Sequence, residues 1–146
     1  MSRTGHLARR FRGSWSRSEP NAVDVDWVRS QLSAGEWTCW SAMAVQDRRH
    51  SIEVARRFLA LAPGAGRAEV AGALLHDVGK QVAGLGTLGR VVATIIGPRT
   101  RRLRLYHDHE SIGAEMLAKV GSEMVTIELI QGRGPKAGAL ASADNT

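Results

Sequence analysis

Cysteine is almost absent from this chain, with Cys39 the only one in 146 residues. No intrachain disulfide can form and no cysteine cage for zinc can be built. Any metal site must therefore be made from histidine and carboxylate. Long apolar runs are missing as well. The best candidate, around residues 91–96, falls far short of the roughly 20 residues a bilayer-spanning helix needs. Arg9, Arg10 and Arg12 occupy the stretch where the apolar core of a secretory signal would have to start. The expectation is a cytoplasmic protein with no membrane partner.

What is present is ordinary: 43% hydrophobic and 23% charged residues, which argues for a soluble globular class rather than disorder. The length suits one domain and one active site. The formal charge of +6 suggests nucleic acid, but Arg3, Arg9, Arg10, Arg12 and Arg17 supply most of it. The rest of the chain is close to neutral. Residues 1–20 are accordingly read as a basic, flexible arm, a solubilising extension in the first instance and an RNA contact in the second.

From Asn21 apolar residues recur at helical intervals, beginning with Val23, Trp27, Val28 and Leu32. Ser33-Ala-Gly-Glu36 has the form of a capping box, in which a serine hydroxyl and a glutamate three residues later satisfy each other's orphan amides. Trp37, Trp40 and Met43 follow at helical spacing and are read as core. Residues 47–61 form the next helix, stopped by Pro63-Gly-Ala-Gly66, and 67–77 the next, closed by Gly79. A glycine-punctuated linker, a short helix near 88–96, helices over 106–120 and 122–130, and a last turn over 139–144 complete the pattern. The reading is one all-α domain over 21–146, of about six to eight helices, with no convincing strand pair.

The chemistry concentrates in Ala73-Leu-Leu-His-Asp-Val-Gly-Lys80. A histidine beside an aspartate at the end of an apolar helix is costly unless something uses both. A divalent cation would, and the negative pole of the helix favours it there.

These residues resemble the HD superfamily of metal-dependent phosphohydrolases. His50, in Arg49-His-Ser-Ile-Glu-Val-Ala55, is similar to that family's first histidine. His76-Asp77 is similar to its name-giving pair, and Asp144, in Ala141-Ser-Ala-Asp144, to its distal aspartate. His109 resembles the extra histidine of subgroups that bind a second metal. The likeness covers residues 47–144 and is nearest to small actinobacterial members, in keeping with the preference for arginine over lysine. Where many relatives carry histidines before the distal aspartate, this chain has Gln131-Gly-Arg133, which favours one ion and leaves two open.

The resemblance implies that His50, His76, Asp77 and Asp144 hold a divalent metal, with His109 as a further ligand; Mn, Fe, Zn, Ni, Co and Mg all remain open. It also implies hydrolysis of a phosphoester of a nucleotide or related small molecule by a metal-activated water. Asp77 would orient that water, Lys80 would meet a phosphate oxygen, and His109 would bind the second ion or protonate the leaving oxygen. The alternative is a regulatory module that binds metal or nucleotide without turnover.

Other candidates have simpler readings. His107 and His109 stand two apart on one helix and face different ways, so one of them enters the site, and the flanking residues favour His109. Lys80 reads equally well as a solvated cation at a helix end. Arg99, Arg101, Arg102 and Arg104 read as a solvated face, His6 as part of the arm, and Gly84-Leu-Gly-Thr-Leu-Gly89 as flexible linker rather than a phosphate cradle. Asp144 stands two residues from the end of the sequence, where a fraying terminus would hold a ligand poorly.

Overall fold

A computed structural model of the protein describes residues 18–79 and 109–146. The first 17 residues, Lys80, the expected helix near 88–96, the arginine run and His107 lie outside the described residues. Within them are seven helices and no strand: α1 (Ala22–Gln31), α2 (Ala34–Ser41), α3 (Val45–Leu61), α4 (Arg67–Leu75), α5 (His109–Lys119), α6 (Met124–Ile130) and α7 (Ala137–Asp144). The all-α class read from the sequence holds.

Local chemistry fixes several of the helix ends. Asn21 caps α1, its side chain accepting from the Asp24 amide at 2.8 Å. The Ser33–Glu36 box forms in both directions, at 2.8 and 3.2 Å. Gly121 and Gly132, at φ +82° and +74°, end α5 and α6 in the left-handed conformation that side chains disfavour. In both, the amide of the next residue bonds back to the fifth residue before it: Ser122 to Leu117 at 2.9 Å and Arg133 to Glu128 at 2.9 Å. Helix α3 starts two residues before the expected Asp47 and has no side-chain cap. Helix α7 is two turns long rather than one.

Helix α4 is the hub. Every residue from Val70 to Leu75 is buried, as an all-round apolar helix must be. It packs against α1, α2, α3 and α6, while α7 lies on α3 and α5 on α6. Close approach needs small residues. A Cβ on Gly72 would stand 2.9 Å from Leu129, and one on Gly113 would stand 3.2 Å from Val78. Trp40 is 1% exposed, and its indole N–H donates to Ser51 at 2.9 Å. This confirms the reading of the aromatics as packing. Val23, expected on the buried face of α1, is instead 76% exposed, so the apolar stripe there is carried by Val28 and Leu32.

Buried polar groups knit the helices. The Thr126 hydroxyl donates to the carbonyl of Ala68 at 2.7 Å, and Ser122 donates to the second oxygen of the capping-box Glu36 at 2.7 Å. Lys136 pairs with Glu69 at 2.9 Å, joining the start of α7 to that of α4. The described residues before α1 are also attached. Arg48 pairs with Glu19 at 2.8 Å and Arg49 donates to the carbonyl of Ser18 at 3.0 Å.

Candidate metal centre

The hub helix ends where the chemistry begins. Leu75 is its last residue and His76 its C-cap, two residues earlier than the sequence pattern suggests. A helix end leaves carbonyls without donors. His76 satisfies one of them: its Nδ1 lies 2.7 Å from the carbonyl oxygen of Ala73. A carbonyl only accepts, so Nδ1 carries a proton. Nε2 is thereby turned outward, and it is the nitrogen that becomes free when the ring gives up its second proton.

Three other side chains meet it. Nε2 of His76 lies 3.2 Å from Oδ2 of Asp77 and 3.2 Å from Oδ1 of Asp144. Nε2 of His50, from the first half of α3, lies 3.0 Å from the same Asp144 oxygen. One ligand atom from each of His50, His76, Asp77 and Asp144 lies within 4.8 Å of all the others. Three stretches far apart in sequence thus converge, His50 from α3, His76-Asp77 from the end of α4 and Asp144 from the end of α7.

The donors fit a divalent ion. Bonds of about 2.0 to 2.2 Å to imidazole nitrogen and carboxylate oxygen put neighbouring donors about 2.8 to 3.6 Å apart, from octahedral to tetrahedral geometry. The separations of 3.0, 3.2 and 3.2 Å between these nitrogens and oxygens are of that size. The set is also chemically suited, two imidazoles and two carboxylates being a borderline-hard mixture for first-row divalent metals. The Ala73 carbonyl supplies the outer hydrogen bond that metal-binding histidines typically make. The group can therefore hold a metal ion.

In the metal-free protein a proton takes the cation's place. Burial alone would push the His76 imidazolium down, but hydrogen bonds to Asp144 and Asp77, with the charge of Asp77, raise it to about 10. Hydrogen bonds to His50 and His76 hold the Asp144 carboxyl far below the usual carboxylate range.

A family model describing the HD domain matches residues 48–134, more than half of the chain. The protein belongs to the HD domain family. The match takes in His50, His76 and Asp77 and stops before Asp144, which the fold nevertheless delivers to the same point. HD domains are in general metal-dependent hydrolases, and the His/Asp group found here accords with that chemistry. No curated protein and no solved structure matches the chain.

Of the remaining candidates, His109 opens α5, one helical turn before the Gly113 that abuts Val78. Its side chain, like Lys80 and His107, lies outside what is described. Cys39 plays no part, its thiol buried and pushed up to about 11 by desolvation and the nearby Glu36 charge. Sequence reasoning missed Arg57, which donates to the carbonyl of Ala143 at 2.8 Å, beside Asp144. Its only sequence signal is its position two turns after His50 on α3. Among the described residues no helix is long and apolar enough to cross a membrane.

Proposed function

We propose that the chain hydrolyses a phosphoester, that of a nucleotide or related small molecule, with a divalent cation held by His50, His76, Asp77 and Asp144. The carrying observation is the convergence of those four ligand atoms within 4.8 Å of one another. A bound divalent cation supplies an acidified water and a polarised phosphoryl oxygen. The protein's own groups do the rest. Hydrogen bonding to Ala73 keeps His76 in the tautomer with Nε2 free. Asp77 accepts a hydrogen bond from the attacking water and so orients it toward phosphorus. Lys80, three residues on, offsets charge developing on the phosphoryl oxygens. His109 donates a proton to the leaving oxygen or holds a second ion. Family membership supports hydrolysis, and the substrate class is our extension of it.

The test is turnover. Purified protein would be assayed for metal by elemental analysis. It would then be screened with manganese, with and without chelator, against a phosphomonoester, a phosphodiester and a nucleotide library. Chelator-sensitive hydrolysis is expected. Nucleotide or metal binding without turnover of any substrate would instead establish a regulatory module.

A further inference from the structure

Asp144 is the site residue with the least local support. It is the last residue of α7, an eight-residue helix built largely of alanine, glycine and serine. The last turn of a helix has carbonyls without intrahelical donors and frays unless they are satisfied. Two are satisfied here by side chains. The hydroxyl of Thr146 donates to Ser142 at 2.7 Å, within the same turn. The guanidinium of Arg57 reaches from α3 to the carbonyl of Ala143 at 2.8 Å, where the helix dipole also favours a cation.

Arg57 is itself oriented. Glu53, one turn earlier on α3, accepts from its other terminal nitrogen at 3.2 Å. His50 and Arg57 stand seven residues apart, on one face of α3, and α7 packs against that helix. Helix α3 therefore holds the end of α7 at two points: His50 Nε2 on the Asp144 carboxylate, and Arg57 on the carbonyl just before it. The first contact gives way when the imidazole and carboxylate turn to a metal. The second does not involve the metal and remains.

We infer that Arg57 is the positioning residue for Asp144, clamping the Ala143 carbonyl so that the carboxylate enters the metal centre preorganised. This rests on the metal-site reading above.

The test is calorimetric titration of Mn²⁺ into the full chain at fixed pH, which reads affinity without activity. Arg57→Met keeps the stem and removes the donor, and it should weaken binding about tenfold or more, the usual cost of losing an outer partner of a ligand. Arg57→Lys can still donate to the carbonyl and should recover part of the loss. In an Asp144→Asn background, Arg57→Met should add nothing, because the residue it positions no longer binds. If Arg57→Met fails to fold, Arg57→Lys and Glu53→Ala carry the test, with both expected between wild type and Asp144→Asn. Equal Mn²⁺ affinity in wild type and the Arg57 variants, or losses that add fully to Asp144→Asn, would overturn the inference and leave the metal site standing. A wild-type chain that binds no Mn²⁺ would bring down the metal-site reading and this inference with it.

Discussion

The imidazoles of His50 and His76, with ring centres 6.1 Å apart, direct Nε2 at the same atom, Oδ1 of Asp144, from 3.0 and 3.2 Å. Two nitrogens sharing one oxygen is an arrangement that a proton or a cation can stabilise. Proton and metal therefore compete for one place.

The metal-free protein should show that proton in its stability. His76 is raised from an ordinary 6.5 to about 10 in the fold, so its contribution is complete below about 6.5 and is lost as pH rises through 10. Asp144 is depressed from 3.8, so its contribution is complete above that value and is lost as pH falls toward its folded value. Thermal melts of chelator-treated protein should accordingly peak between about 4 and 6.5 and decline toward pH 10. Asp144→Asn should flatten the alkaline decline. An alkaline limb as steep in that variant as in wild type would break the assignment.

Metal uptake should run the other way with pH. A cation reaching Nε2 of His76 must displace the proton, so binding near neutrality should release about one proton per ion. Titrations in two buffers of different ionisation enthalpy measure that number directly. A value near zero at pH 7.5 would mean that His76 is neutral before the metal arrives.

Packing makes an independent prediction at Gly35, at the start of α2. A Cβ there would lie 2.6 Å from the Cβ of Val120 and 2.9 Å from its carbonyl oxygen, and backbone cannot step aside as a side-chain tip can. The better helix propensity of alanine gains at most about 1 kcal/mol. Overpacking typically costs about 1 to 3 kcal/mol, so Gly35→Ala should destabilise. Urea melts giving a higher midpoint for the variant would show that α2 and the end of α5 can separate at little cost.

What the sequence made legible was local or carried by a strong pattern. Ser33 and Glu36 are three residues apart and their box forms as read. His76-Asp77 stands at the end of an apolar helix, and that helix is the buried hub. The contacts that could not be read join residues distant in the chain. Arg57 to Ala143 and Glu36 to Ser122 each span 86 residues, and no spacing rule connects them. Val23 misled because an apolar residue in the first turn of a surface helix fits the period whether or not a neighbour covers it. The concern over Asp144 near the end of the sequence has a physical answer in Arg57, which no motif announces.

Asp77 offers the sharpest test of the proposed chemistry. Its Oδ2 lies 3.2 Å from Nε2 of His76, so it sits among the other three ligand atoms. Asp77→Ala should abolish any hydrolase activity. It should also remove much of the stability that metal confers, because a ligand that binds only the folded state adds about 2.7 kcal/mol at a hundredfold excess over its dissociation constant. Melts of wild type and Asp77→Ala, each with chelator and with excess manganese, separate the two roles. A large shift in wild type and a small one in the variant is the expected pattern. Equal shifts would remove Asp77 from the ligand set, and hydrolysis surviving in the variant would remove it from the mechanism.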